Sequence, residues 1–135
     1  MNDVPDRWMA FAALDVRAAE VTLGAGLTAQ ACFHAHQAVE KALKALIQHA
    51  TGHAAPRVHG LGELLGNLPA LQRSRLADAV LPELDDYYIP TRYPDAIPGT
   101  LAEGLPDQAR AAEAVQCARD VVRIAADLLH HAGNG

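Results

Sequence analysis

The chain has 135 residues, half of them hydrophobic and a fifth charged, which is typical of a globular domain with its own core. The net charge of -5 argues against a protein that covers duplex nucleic acid with a broad basic surface, although it permits a local basic site. The first residues lack the basic and apolar segments of a signal peptide, and no apolar run is long enough to span a bilayer. We therefore expect one cytoplasmic domain over residues 1-135, with both cysteines reduced.

The first half of the chain predicts two long helices. Alanine is abundant and β-branched residues are few, which favours helix. The first helix is expected to run to about Leu23 and to stop at the glycines that follow it. The second is expected from Leu27 to Ala50, with Thr28 as its N-cap and Gly52 in a left-handed conformation at its C-terminal end.

The second half predicts further helices that are interrupted by proline. A short helix is expected over 61–68, a third long segment over 71–88 with a kink or restart at Pro82, an irregular loop over 89–106, and a last helix over 107–131. No stretch alternates like a strand. The pattern predicts an all-α fold, an antiparallel four- to five-helix up-and-down bundle with its core over about 6–131.

One carboxylate interrupts the apolar face of the first helix. That face carries Trp8, Phe11, Ala12, Ala19 and Leu23, and Asp15 lies in the middle of it. A carboxylate at such a position is costly unless it is paired or lies at a wet edge. We expect it to pair with a basic side chain of the second helix, and the candidates are His34, Lys41 and Lys44.

A narrow polar ridge runs along the second helix opposite a broad apolar face. It comprises Gln30, His34, Gln37, Glu40, Lys41, Lys44 and Gln48. One interpretation is a solvated face in which neighbours four residues apart support each other. The other is a line of donors that meets a partner or a phosphate group. The helix alone favours the solvated face.

The residues that carry chemistry do not form the usual enzyme motifs. The seven histidines have no ligand spacing that suits a metal ion, and there is no phosphate-binding glycine loop or nucleophile elbow. We therefore expect no metal and no cofactor. What remains is a cluster that holds every tyrosine of the chain beside an arginine and an aspartate: Tyr87, Tyr88, Arg92, Tyr93 and Asp95. Such a cluster can bind phosphate and stack on a base, or it can plug the end of the bundle.

At these residues the chain resembles the HEPN domain family. The resemblance rests on residues 33–45 (FHAHQAVEKALKA), on 59–61 (HGL), on 84–88 (LDDYY) and on 92–95 (RYPD), followed by a closing helix rich in alanine and valine. It covers about residues 8–129. It implies a helical bundle that dimerises, an association with nucleotides or RNA, and pairing with a minimal nucleotidyltransferase in a toxin–antitoxin-like system.

The resemblance implies that ribonucleases of that family carry an arginine, four to six further residues and then a histidine, and that they cut RNA without a metal at the dimer interface. Arg92 stands where that arginine is expected, but no histidine follows it within the window. Arg123 and His130 have a comparable spacing within the last helix, which we interpret as a chance match.

Three hypotheses follow for function. The first is a homodimer that binds a nucleotide or RNA and acts with a nucleotidyltransferase partner. Arg92 would hold phosphate, Tyr87, Tyr88 or Tyr93 would stack, Lys41 or Lys44 would add charge, and Asp95 and Gln37 are the remaining candidate ligand-binding residues. The second is a metal-independent ribonuclease with Arg92 and either His59 or His34 as its catalytic residues. The third is a purely structural dimerisation module.

Overall fold

The computed structural model describes residues 3–87 and 104–134, and every regular element in these ranges is a helix. The elements are α1 (Asp3–Gly24), α2 (Thr28–Thr51), α3 (Leu61–Gly66), α4 (Ala70–Ala77), a 3-10 helix (Pro82–Tyr87) and α5 (Gln108–Asn134). The expected all-α helical bundle is therefore confirmed. Each helix in these ranges is too short or too polar to cross a membrane.

Two glycines set the ends of the first helical hairpin. Gly26 has a φ of 78° and its N–H donates to the carbonyl of Leu23 at 3.0 Å, so the chain reverses between α1 and α2. Gly52 has a φ of 73° and caps α2, with its N–H on the carbonyl of Gln48 at 2.9 Å. The glycines after α1 and α2 therefore end both helices where the sequence predicted. The N-cap of α2 is Leu27 rather than Thr28, and no side chain bonds there.

The second helix lies at the centre of the bundle. It packs against α1 on one side and α5 on another, while α3 and the 3-10 helix contact it further along. Five of its alanines have no exposed surface, and such small side chains let neighbouring helices approach closely. These are Ala31, Ala35, Ala38, Ala42 and Ala45. The leucines Leu43 and Leu46, also fully buried, fill the remaining volume.

The helical segment expected over 71–88 is interrupted and restarts at Pro82, which is one of the two expected alternatives. α4 covers Ala70–Ala77, and the 3-10 helix begins at Pro82, because proline is tolerated in a first helical turn, where its missing N–H needs no partner. A thiol of α5 satisfies the backbone at this break. Cys117 Sγ donates to the carbonyl of Ala79 at 3.1 Å and accepts the N–H of Leu81 at 3.5 Å.

The outer face of α1 is more apolar than expected. Ala12 and Ala19 are buried, but Phe11 is 52% exposed and so does not share the core-facing side to which it was assigned. The reason is geometric: successive residues of a helix are about 100° apart, so a side that buries Ala12 turns Phe11 outward. Leu14 and Val21 are likewise exposed.

Candidate functional site

Asp15 forms the ion pair that its position required. Its carboxylate accepts a hydrogen bond from Lys41 Nζ at 2.5 Å and lies 3.6 Å from His34 Nδ1. Asp15 is 15% exposed, Lys41 26% and His34 33%, so this pair lies at the partly open edge between α1 and α2. The prediction is confirmed for Lys41. His34 lies beside the carboxylate without a hydrogen bond to it, and the prediction is wrong for Lys44, which has another partner.

That other partner is Glu40, one turn earlier on α2. Lys44 Nζ donates to Glu40 Oε2 at 3.1 Å, and the two side chains are only 10% and 6% exposed. The ammonium group also lies 5.8 Å from the ring centroid of Trp8 on α1. The interpretation of the ridge as a solvated face is therefore wrong at Glu40 and Lys44, because α1 and the segment after α2 cover them.

Glu40 also holds a histidine from the loop that follows α2. His59 Nδ1 lies 3.2 Å from Glu40 Oε1 and 3.3 Å from Oε2, while the imidazole is 48% exposed. The buried carboxylate of Glu40 thus contacts one lysine and one histidine, as the carboxylate of Asp15 does at the edge between α1 and α2. The exposed imidazole is anchored through one ring nitrogen, which fixes the direction in which its other ring nitrogen points.

A second buried histidine joins α2 to the 3-10 helix. His36 has no exposed surface, and its Nε2 lies 3.2 Å from Asp85 Oδ1. The same carboxylate accepts the N–H of Leu61 at 3.0 and 3.2 Å, so it also caps the start of α3. On the other side of the ring, Gln37 Nε2 lies 3.4 Å from His36 Nδ1. Through Asp85, the imidazole of His36 therefore connects α2 with both the 3-10 helix and the start of α3.

Burial lowers the pKa of His36 below its ordinary value, because a charged imidazole loses its hydration there. The carboxylates of Glu40 and Asp85 raise the pKa in part, but they do not reverse the direction. A neutral ring fits the contacts: Nε2–H donates to Asp85, and Nδ1 accepts from the amide of Gln37.

His36 should make the fold less stable in mild acid. The unfolded chain has an ordinary histidine pKa of about 6.5 and takes up its proton first as the pH falls, so the free energy of unfolding should fall from that pH downward. We expect the imidazole C2 proton to titrate below pH 6.5 in NMR spectra of the folded protein. We also expect urea denaturation to show a steeper loss of stability between pH 7 and 5.5 than in His36→Asn. A normal or raised pKa would contradict this prediction.

The tyrosine and arginine cluster is described only in part. Tyr87 is 5% exposed and packs inside the bundle, where burial raises its pKa to about 12 and the thiol of Cys32 is its hydrogen-bonding neighbour. Burial likewise raises the pKa of Cys32 to about 11. Both cysteines are buried free thiols. Tyr88, Arg92, Tyr93 and Asp95 lie outside the described residues.

Sequence reasoning missed the contacts of His36, Glu40 and Asp85, although one signal was present. His36, Glu40 and Lys44 recur every four residues on α2 and form a polar file that adjoins its apolar face. Buried polar groups need partners. Such a file therefore indicates that acidic and basic side chains elsewhere in the chain pack against it. In the described ranges, no group of three or more His, Cys, Asp or Glu side chains is placed to hold a metal ion.

These features define a helical-bundle protein whose central helix takes part in two carboxylate-centred ionic clusters, one around Asp15 of α1 and one around its own Glu40. The family model of the HEPN domain matches residues 6–128, and the chain therefore belongs to the HEPN domain family. A search of curated proteins finds no match.

Two solved structures are similar over nearly the whole chain. The crystal structure of TT1696 from Thermus thermophilus shares 34% identity, covers 94% of this chain and 98% of its own, and superposes with a TM-score of 0.68. The crystal structure of ST0689, an archaeal HEPN homologue, shares 29% identity, covers 96% of this chain and 99% of its own, and has a TM-score of 0.69.

Proposed function

We propose that this HEPN protein is a homodimer that binds a nucleotide or RNA through phosphate groups and acts with a nucleotidyltransferase partner in a toxin–antitoxin-like pair. The observation that carries the proposal is the arrangement of basic side chains on α2. His34 and Lys41 are seven residues apart, about 10 Å along the helix, and both lie at the partly open edge between α1 and α2. The carboxylate of Asp15 orients the ammonium of Lys41, so little side-chain freedom is lost when an anion binds, whereas Lys44 is buried in its pair with Glu40 and is assigned no phosphate contact.

Arg92 is assigned the main phosphate contact because its planar guanidinium can donate two hydrogen bonds to one phosphate. It follows Tyr87 by five residues in the sequence. Tyr87 itself packs beside α2 and serves the fold. We therefore assign base stacking to Tyr88 and Tyr93, and we assign Asp95 to the orientation of the arginine.

The binding site is tested with fluorescent nucleotides and a short single-stranded RNA, followed by fluorescence anisotropy. Loss of a charged hydrogen bond costs about 1.5–3 kcal/mol, so Arg92→Ala should weaken binding roughly ten- to hundred-fold. Arg73→Ala removes an exposed arginine of α4, remote in sequence from the cluster, and is the matched control that should bind as the parent does.

Two results would overturn the binding proposal. One is a parent protein that binds none of these probes at millimolar concentration. The other is an Arg92→Ala variant that loses stability in urea but binds as the parent does, which is the outcome expected of a purely structural module. The protein pairing is tested separately by co-expression with the gene product encoded beside this chain. A neighbour that is a nucleotidyltransferase and co-purifies supports the pair, and a neighbour without either property contradicts it.

A metal-independent ribonuclease is the second candidate function, and the Glu40–His59 contact favours it. A carboxylate that accepts the Nδ1 proton of a half-exposed histidine is how many enzymes orient a general base. In this case His59 would take the proton of the RNA 2′-hydroxyl as that oxygen bonds to phosphorus, and the bond from phosphorus to the 5′-oxygen would break as that oxygen receives a proton. Arg92 would stabilise the negative charge on the non-bridging oxygens. His34, whose Nδ1 faces Asp15, is the other candidate for proton transfer.

Incubation of RNA with the pure protein in EDTA separates the two functions. An enzyme should cleave the RNA and lose this activity in both Arg92→Ala and His59→Ala, whereas Arg73→Ala should retain it. RNA that stays intact with the parent protein, under conditions where anisotropy shows binding, rejects the ribonuclease and leaves the binding protein.

A further inference from the structure

The loop between α2 and α3 is irregular, yet its last residues contact the bundle at three points. The Nδ1 of His59 lies 3.2 Å from Glu40 Oε1. The N–H of Leu61, two residues later, donates to the two oxygens of Asp85 at 3.0 and 3.2 Å. The backbone of His59 is a hydrogen-bonding neighbour of the buried imidazole of His36. Both the side chain and the backbone at this end of the loop are therefore held.

His36 lies between the two carboxylates that hold the end of the loop. Its Nε2 is 3.2 Å from Asp85 Oδ1, and its Nδ1 is 4.0 Å from Glu40 Oε1. The ring has no exposed surface, so the close packing of the core keeps it in place. It therefore connects the carboxylate that contacts the side chain of His59 with the carboxylate that contacts the backbone of Leu61.

We infer that His36 and Asp85 are positioning residues, which hold the imidazole of His59 in one orientation with its Nε2 directed away from Glu40. A neutral ring that donates from Nδ1 to a carboxylate has a hydrogen-bond acceptor at Nε2. In the ribonuclease candidate this is the atom that takes the proton of the 2′-hydroxyl. The inference rests on that candidate only for the use of Nε2, since the orientation of the ring can be measured without RNA.

The contact with Glu40 is not sufficient to fix the ring of His59. The imidazole is 48% exposed, so water competes for that contact. The other oxygen of Glu40 accepts from Lys44 at 3.1 Å, which fixes the carboxylate but not the loop. A displacement of about 1 Å can lower a catalytic rate about a hundred-fold. The contacts of the loop backbone with His36 and Asp85 therefore decide how well the ring is placed.

The orientation is tested by NMR of the imidazole nitrogens of His59, at a pH where the ring is neutral. Nitrogen chemical shifts distinguish an N–H from a nitrogen with a lone pair, so they report which tautomer is present. The signals are assigned with His59→Gln, in which they are absent. We expect one predominant tautomer, with the proton on Nδ1. A ring that exchanges between both tautomers in the parent protein would overturn the inference.

Asp85→Ala removes one backbone contact of the loop and leaves both partners of the Glu40–His59 contact unchanged. We expect the His59 signals to move to those of a mixture of tautomers, while circular dichroism shows that the helices are retained. Asp86→Ala is the same chemical change at the next residue, which is exposed, and should keep the signals of the parent protein. An Asp85→Ala variant with the tautomer of the parent protein would overturn the inference.

Two substitutions of His36 separate positioning from packing. His36→Phe keeps a ring but removes both nitrogens, whereas His36→Gln keeps a donor that can reach Asp85. We expect mixed tautomers of His59 in His36→Phe and the tautomer of the parent protein in His36→Gln. His49→Phe changes an exposed histidine of α2 and should leave the His59 signals unchanged. Equal loss in His36→Phe and His36→Gln would show that packing alone holds the loop and would overturn the inference.

RNA cleavage in EDTA gives a functional readout of the same variants. If the parent protein cleaves RNA, Asp85→Ala should lower kcat about ten- to hundred-fold with little change in KM, because a misplaced base leaves RNA binding intact. Cleavage by Asp85→Ala at the rate of the parent protein would overturn the positioning role. Intact RNA with the parent protein, together with the expected tautomer and its loss in Asp85→Ala, would reject the ribonuclease and support the positioning of His59.

Discussion

Glu40→Ala is expected to lower the free energy of unfolding by about 3–5 kcal/mol, because it leaves the buried ammonium of Lys44 without its counter-charge. The contact with His59 is lost as well. Most globular domains are stable by only about 5–15 kcal/mol, so this one substitution should remove a large part of the total. Urea denaturation followed by circular dichroism measures the change.

Two further variants show whether the loss comes from the unpaired charge. Glu113→Ala removes an exposed carboxylate of α5 and should change the stability by no more than about 0.5 kcal/mol. Glu40→Leu combined with Lys44→Met removes both charges and fills similar volume, so it should regain most of the stability that Glu40→Ala loses. If the double variant were as unstable as Glu40→Ala, the buried ion pair would not be the cause.

Leu43→Ala should cost about 2–5 kcal/mol, because it removes a fully buried side chain from the central helix and leaves a cavity. Leu71→Ala is the same chemical change at a position that is 77% exposed, and it should stay within about 0.5 kcal/mol of the parent. Urea midpoints measured at one pH give both values. Equal losses in the two variants would show that Leu43 is not packed as the structure describes.

The sequence was sufficient for the features that depend on local rules. The two glycine-terminated ends of α1 and α2 follow from the left-handed conformation that glycine adopts readily. The partners of Asp15 could be named because helical periodicity places one carboxylate on α1 and two bases on α2 toward the same crevice. These predictions required only the helix repeat and the cost of an unpaired buried charge.

The remainder of the site depends on contacts between distant parts of the chain. Asp85 follows His36 by 49 residues and Leu61 by 24, and His59 follows Glu40 by 19. No periodicity relates such positions, because their approach is decided by how the loop after α2 and the 3-10 helix return to the bundle. Proline predicted the restart at Pro82, but the α5 thiol that satisfies the backbone there belongs to a distant part of the chain and could not be predicted. Helix propensity alone could not identify either set of contacts.

The longest of the four segments that carry the family resemblance, residues 33–45, lies in α2 at the centre of the bundle. The helix contacts α1, α3, α5 and the 3-10 helix, and 14 of its 24 residues are buried. A substitution on such a helix disturbs several neighbours at once, so its tolerance to mutation is low whatever the protein does. Relatives with different activities would therefore retain residues 33–45 for packing. The residues that differ between such activities would lie at the periphery of the bundle.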